Sequence, residues 1–267
     1  MSSNGQNPLH LNELKALPRP LYGQRASLPN IALDYRHRHP WGQLSHALHG
    51  VLQVDTDHAR LVVPPHRAVW LPAQVAHRVS CTAGACIRSL YVDPTLLLWP
   101  QDRCRVLAVD PLLRELIRAF GELPVEYDLD GADGRLAEVL LDRLRLAEEL
   151  DLILPHPRDP RLRALCRKAR ARPHANISLS DASSKAGVSE KTLSRLFFKE
   201  TGMTFRTWRQ RMRLVSALPG LERGERVTDV ALACGYESLS AFSAAFGRLF
   251  GLSPAELGRE HGRQASA

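Results

Sequence analysis

Several things this chain of 267 residues lacks narrow what it can be. No uninterrupted apolar run reaches the ~18 residues that a membrane-spanning helix needs, and no charged-then-apolar leader opens the sequence, so a protein with no membrane partner, soluble and cytoplasmic, is expected. The five cysteines, Cys81, Cys86, Cys104, Cys166 and Cys234, are scattered, odd in number and without a CxxC pair. That argues against a disulfide framework and against a zinc finger. The length suits two domains of ordinary size, each able to bury its own core.

What is present is a repeat between Asp181 and Leu252. Asp181 to Ser189 leads into Glu190 to Gly202, and Asp229 to Ser238 leads into Leu239 to Gly251. Gly187 aligns with Gly235 and, allowing one inserted residue after the turn, Leu193 aligns with Phe242, Phe197 with Phe246 and Gly202 with Gly251. Each copy predicts a short helix, a sharp turn at a residue tolerant of positive φ, and a second helix capped by a hydroxyl, Ser189 or Ser238. Small residues, Ser183 and Ala231, stand where the two helices would cross. Leu193, Leu196 and Phe197, and again Phe242, Ala245 and Phe246, recur at helical spacing and give each second helix a stripe to bury.

Charge follows the repeat. Residues 154–267 hold 20 Lys and Arg against 10 Asp and Glu, a net of +10, whereas residues 1–153 hold 16 against 18, a net of −2. Phosphate neutralisation requires such a basic excess on the half that carries a helix-turn-helix.

Residues from about 161 to 260 resemble the DNA-binding domain of AraC/XylS-type transcription regulators. The resemblance is carried by Gly187-Val188-Ser189, Leu193-Ser194-Arg195-Leu196-Phe197, Thr201-Gly202, Gly235-Tyr236-Glu237-Ser238, Phe242, Phe246, Phe250-Gly251 and Ser253-Pro254. It implies a long helix, roughly Phe205 to Leu221, tying the two modules together, with both second helices entering successive major grooves about 34 Å apart. The family's base-reading sites fall on Lys191, Ser194 and Arg195 in the first module and on Leu239, Ser240, Ser243 and Ala244 in the second; Glu190, Lys199 and Arg248 complete the expected DNA-contact set. Arginine and lysine engage guanine O6 and N7, so Arg195 and Lys191 are the expected direct readers, with a phosphate contact as the alternative for Lys191. Many relatives place an arginine where Ala244 stands, so strong hydrogen-bonded readout is not expected of the second module.

The N-terminal half has another texture. From about Arg19 to Val92, short apolar runs broken by Pro, Gly, Asp and Asn (Ile31 to Leu33, Val51 to Val54, Arg60 to Val63, Ala68 to Leu71, Ile87 to Val92) read as a sandwich or barrel of short strands. Helical stripes follow at Pro111 to Phe120 and at Asp133 to Leu150, the latter through Leu136, Val139, Leu140, Leu144 and Ala147; packing on the barrel and dimerisation are both open to them. Three prolines, Pro155, Pro157 and Pro160, mark a stiff connector. The fold expected is α+β: a tail (1–18), a barrel (19–95), connecting or dimerisation helices (96–153), a linker (154–160) and an all-α double helix-turn-helix domain (161–262).

Seven of the eleven histidines lie between His37 and His77. His37-x-His39-x3-Gln43-x6-Gly50 followed by Pro72-x4-His77 resembles the two motifs of the cupin barrel, which implies that His37, His39, Gln43 and His77 converge on one divalent metal ion. Residues i and i+2 on a strand face one way, and imidazoles with an amide oxygen suit iron, zinc, nickel or manganese. Gln43 replaces the usual glutamate, and Gln74 sits where a turn glycine is common; a metal-free polar pocket is the alternative. Trp41, His46, His49 and Trp70 are the expected walls of an effector pocket at the barrel mouth.

The expected function is a sequence-specific DNA-binding transcription regulator responding to a small molecule or metal in the barrel. Trp41-Gly42-Gln43-Leu44, Pro64-Pro65 and Val69-Trp70-Leu71-Pro72 resemble a subgroup that includes regulators of drug-efflux transporters, which implies control of a neighbouring transporter gene. Expected partners are double-stranded DNA, a small-molecule effector, a second copy of the chain and, for an activator, RNA polymerase. The rival reading is a metal-dependent cupin enzyme with a DNA-binding tail, in which His37, His39 and His77 leave coordination positions open for substrate. Against it, no separate acid–base pair accompanies the histidines, and Gln43 would not serve as a general base.

Overall fold

The computed structural model describes residues 16–26, 33–82, 85–96 and 99–264. Its N-terminal part is built from β1 (Leu21–Ala26), β2 (Leu33–His37), β3 (Gly42–His49), β4 (Leu52–Thr56), β5 (Ala59–Val63), β6 (Arg67–Leu71), β7 (His77–Cys81), β8 (Cys86–Val92) and β9 (Arg105–Ala108). Helices α1 (Pro111–Phe120) and α2 (Ala132–Leu146) follow, then two short strands, β10 (Glu149–Leu150) and β11 (Leu154–Pro155). The pairings form two antiparallel sheets, ordered β1-β8-β3-β6-β9-β10 and β11-β5-β4-β7-β2. Of the expected run Ile31 to Leu33, residues 31 and 32 lie outside the described residues, as do residues 1–15 of the expected tail.

Strand register sorts the side chains into layers. In the first sheet Gln43 pairs with Leu71 and Tyr91, Ser45 with Val69 and Ser89, and Ala47 with Ile87, so one face carries all of these. The alternate residues, Leu44, Ala68, Trp70, Leu90 and Leu107, form a separate apolar cluster with Leu113, Ile117 and Phe120 of α1 and Leu140 and Leu144 of α2. The two helices therefore cover the outer face of this sheet, as one of the two expected arrangements had it. In the second sheet Leu52, Val54, Leu61, Val63 and Val79 share the inner face and join Ala47, Val69 and Ile87 in the core.

Local chemistry explains the boundaries. Asp110 caps α1 by accepting from the Leu113 N–H, with Pro111 opening the helix. The helix expected to run to Leu150 ends at Leu146, because Ala147 turns extended (ψ 132°) and Glu149 and Leu150 pair with β9 instead. Val139 of the expected stripe points outward, while Ala137, Leu140, Leu141 and Leu144 are buried. The proline-rich segment is structured: Leu154 and Pro155 form an edge strand on β5, where a missing N–H costs nothing, and Pro160 opens the next helix behind an Asp159 cap.

The C-terminal domain comprises α3 (Pro160–Ala171), α4 (Leu179–Ala186), α5 (Glu190–Thr201), α6 (Phe205–Glu222), α7 (Val227–Ala233), α8 (Leu239–Phe250) and α9 (Pro254–Gln264). Helix α6 divides its side chains between two cores. Phe205, Trp208 and Met212 pack with Leu193 and Phe197 of α5 and with Leu162 and Leu165 of α3. Leu214, Val215, Leu218 and Leu221 pack with Phe242 and Phe246 of α8, in an apolar cluster continuous with the core of the strands, including Val62 of β5. The barrel and the second module thus share a core, whereas the first module meets the strands through Leu154 and through the Trp208 indole N–H, which donates to the Pro155 carbonyl.

Candidate DNA-reading surface and histidine cluster

The two repeat units close their turns with the same hydrogen bonds, although the second carries one more residue, Glu237, before its capping serine. Gly187 (φ +63°) and Gly235 (φ +81°) take the left-handed conformation that ends α4 and α7. The next residue closes the turn in both: the Val188 N–H donates to the Ser183 carbonyl at 3.4 Å, and the Tyr236 N–H to the Ala231 carbonyl at 3.0 Å. Ser189 then accepts from the Thr192 N–H and Ser238 from the Ala241 N–H, so each second helix starts on a serine cap. Gly202 (φ +72°) and Gly251 (φ +73°) end them in the same left-handed way. The repeat even extends one step further, since Thr204 caps α6 and Ser253 caps α9.

Each reader helix buries one stripe and bares another. Leu193 and Phe197 in α5, and Phe242 and Phe246 in α8, are fully buried. Glu190, Lys191, Ser194, Arg195 and Lys199 are exposed on α5; Leu239, Ser240, Ala244 and Arg248 are exposed on α8, with Ser243 half-buried. Among the described residues, Lys191, Arg195, Lys199 and Arg248 make no ion pair, which leaves their charge available to phosphates or base edges. The Ser240 hydroxyl is already engaged with that of Ser238 at 2.7 Å.

The histidines converge by a route other than strand alternation. His37 ends β2 and sits opposite His77 of β7 in register, whereas His39 lies beyond the strand, where the chain crosses to the other sheet. The rings still gather: centroids are 4.3 Å apart for His37 and His77, 5.2 Å for His39 and His77, and 6.0 Å for His37 and His39. One ligand atom from each lies within 4.8 Å of the others. The loop that delivers His77 is held by the Gln74 N–H, which donates to the His39 carbonyl at 2.8 Å, with Gln74 in a left-handed conformation (φ +64°).

Proton placement follows from the carbonyls. His77 Nδ1 meets the Val75 carbonyl at 2.9 Å and so carries the hydrogen, leaving a bare Nε2 that is buried and has no partner. His39 Nδ1 meets the Trp41 carbonyl and its Nε2 meets Gln43 Oε1, both at 2.8 Å. A neutral ring carries one N–H, so it serves only one of those oxygens; turning the Gln43 amide over offers its NH2 to Nε2 and satisfies both. Burial keeps the rings neutral: it lowers the pKa of His37 and His39 and brings that of His77 down to about 4. A backbone carbonyl that fixes the Nδ1–H tautomer and leaves Nε2 free, as at His77, is the usual outer support of a metal-binding histidine, and with the Gln43 amide moved off His39 Nε2 the three imidazoles fit a divalent ion. Gln43, the expected fourth ligand, is in place but occupied, between His39 and the Ser45 hydroxyl.

The expected effector walls do not form one pocket. Trp41 is buried, stacked on His39 at 5.4 Å and 7°, with Tyr22 and Tyr91 beside it. Trp70 and His46 belong to the opposite face of the first sheet, beneath α1 and α2, because residues 44 and 46 point away from 43 and 45. His49 lies at the far end of β3, beyond a bulge. Sequence reasoning also missed two contacts between the halves of the chain. The Arg67 guanidinium of β6 donates to the Phe250 carbonyl at the end of α8 at 2.8 Å, and Glu222 of α6 accepts from Gly50. Their partners are 183 and 172 residues apart, and nothing local signals them.

Residues 20–146 match the AraC-like ligand binding domain, and residues 182–260 match a helix-turn-helix domain. The chain is 35% identical over 218 residues to the HTH-type transcriptional regulator NimR of Escherichia coli (strain K12), covering 82% of this chain and 80% of that one. It is 24% identical over 225 residues to the probable transcriptional regulator LumQ of Photobacterium leiognathi, covering 82% and 89%. A crystal structure of ToxT from Vibrio cholerae aligns with 90% of this chain and 93% of its own, at 14% identity and a TM-score of 0.37. No helix among the described residues is long and apolar enough to cross a membrane. With an AraC-like ligand-binding domain ahead of a double helix-turn-helix, the chain belongs to the AraC-type transcription regulators.

Proposed function

We propose that the N-terminal domain senses a divalent metal ion held by His37, His39 and His77, and that occupancy changes how the C-terminal domain binds its operator. The observation that carries this is the buried, partnerless Nε2 of His77 amid three imidazoles whose ligand atoms lie within 4.8 Å of one another. A bound dication would supply positive charge at the barrel mouth and join the β2–β7 edge to the segment entering β3, with Gln43 as a weak fourth ligand once its amide leaves His39. That edge lies across the second sheet from β5 and β11, on which α6 packs, so a strain set at one side of the sheet reaches the DNA-binding domain at the other. It acts only through a difference in metal affinity between the two DNA-binding states. A small molecule in the groove that Trp41 lines with Pro18, Pro40 and Asp93 is the other occupant this domain would accept.

Arg195 and Lys191 are the proposed base readers, with Lys199 and Arg248 on phosphates. The outer surface of α1 and α2, where Leu112, Val139 and Leu146 are exposed, is the proposed contact for a second copy, and an activator of this build would also touch RNA polymerase. Metal analysis of the native protein beside His37→Ala and His77→Ala, with mobility shifts run on the metal-loaded and stripped forms, tests the central claim. Loss of metal in both variants and a metal-dependent shift in the native protein are expected; equal metal content in all three disproves the site.

A further inference from the structure

Phe198 is 57% exposed, although Phe197 beside it on α5 is fully buried. Helical spacing says where it points. Lys191, Ser194, Arg195 and Phe198 stand at i, i+3, i+4 and i+7, a single stripe of the helix, and all four are exposed. That spacing is the one with which a helix lying in a major groove presents side chains to base edges. The buried stripe, Leu193 and Phe197, lies on the other side.

The ring is not there to hold the fold. By the alignment that matches Leu193 with Phe242, the counterpart of Phe198 in α8 is Gly247, and the second module builds the same turn, caps and core without a side chain at that place. Around Phe198 the surface is an open groove of about 610 Å3 lined by Thr192, Ser194, Arg195, Leu196, Lys199 and Thr204. The exposed ring of Phe198, with the half-buried Leu196 beside it, is therefore bracketed by two unpaired cations and by hydroxyls. Duplex DNA offers the matching pattern: phosphates on either side of a groove whose apolar feature is the thymine methyl. Three residues of helix advance about 4.5 Å, little more than the 3.4 Å or so of one base step.

We propose that Phe198 is a specificity-determining residue that packs against the 5-methyl group of a thymine next to the base engaged by Arg195. This rests on α5 being the base-reading helix. The test starts from the operator selected by the full chain out of randomised DNA, in which each thymine is then replaced by deoxyuridine, removing the methyl group alone. Native protein is expected to lose about fourfold in affinity at one thymine, the worth of one buried methyl. Phe198→Ala should be indifferent to that replacement and select an operator without the thymine, while Phe198→Leu keeps part of the preference. Equal loss by native protein and Phe198→Ala, or a Phe198→Ala defect uniform over all sequences, overturns the proposal in favour of a sugar–phosphate contact. Arg195→Ala on the same DNA separates the two claims. If it relaxes its own base position while Phe198→Ala keeps the thymine, only the role of Phe198 falls; if it changes no preference, the reading of α5 falls and takes Phe198 with it.

Discussion

The backbone N–H of Gly50, in the turn after β3, donates to the carboxylate of Glu222, the last residue of α6, at 2.8 Å. This joins the strands to the long helix of the DNA-binding domain through a carboxylate that is only 4% exposed. A buried anion at the C-terminal end of a helix is unfavourable alone, because it lies at the negative end of the helix dipole. The Gly50 N–H offsets part of that cost.

Glu222→Ala is therefore expected to strand the buried Gly50 N–H and lower stability by about 1–3 kcal/mol, seen as a lower urea midpoint. Glu222→Gln keeps an acceptor and should lose less. Gly50→Ala should be damaging too, since φ is +87° and a Cβ would stand 2.3 Å from that of Ala85. An unchanged midpoint for Glu222→Ala would show the contact to be incidental.

The two readers should differ in stringency. Arg195 is exposed and unpaired, whereas the Ser240 hydroxyl is tied to Ser238 and Ser243 is half-buried. Selection from randomised DNA should yield one tightly specified segment under α5 and, about one helical turn away, a looser or A·T-rich one under α8. Arg195→Ala should relax one position of the tight segment at a cost of about 1–3 kcal/mol. Equal information content in both segments would reverse this hierarchy.

Acid should unfold the protein through buried neutral imidazoles. Burial lowers the pKa of His46 to about 4, and His46 holds its neutral form with Nδ1 against the Arg67 carbonyl at 3.1 Å. The unfolded chain takes up this proton from the ordinary histidine value of about 6.5 downward. The stability that the neutral ring confers is thus full above that value and lost as pH falls through about 4. Urea midpoints measured across this window should fall with pH, and His46→Asn, which keeps a donor for the carbonyl, should flatten the decline; an identical pH slope in the variant would remove His46 from the account.

Gln74 is the non-glycine residue with positive φ among the described residues, at +64°. The left-handed conformation costs an ordinary L-residue roughly 1–2 kcal/mol, part of which glycine's greater freedom in the unfolded chain returns. Gln74→Gly should raise stability by up to about 1 kcal/mol. A thermal melt that moves down would mean that the glutamine side chain contributes more than its backbone loses.

The C-terminal half was open to reading because its determinants are local: a glycine for the left-handed turn, a serine two or three residues on, and aromatic residues at helical spacing, Phe242 and Phe246 among them. The N-terminal strands were legible where one face alone is buried, as in β4, and less so in β3, which is covered on both sides and whose Leu44, Ser45 and His46 show no alternation. For that reason the sequence alone does not show that Trp70 and His46 face α1 and α2 while Gln43 and Ser45 face the other way. The histidine set was found by its spacing, although a turn rather than a shared strand brings His39 to His37. Contacts such as Arg67 with Phe250 depend on how two folded halves meet, which no window of sequence contains.

Because Met212 of α6 belongs to the core of one module and Leu214 to that of the other, the rotational phase between the two readers is stored in a count of residues. One residue added between them would turn one reader against the other by about 100° and move it by about 1.5 Å. One base pair added to an operator turns its two segments by only about 34°. Helix and duplex thus change phase in incommensurate steps, and no single insertion in α6 can follow a single insertion in the DNA.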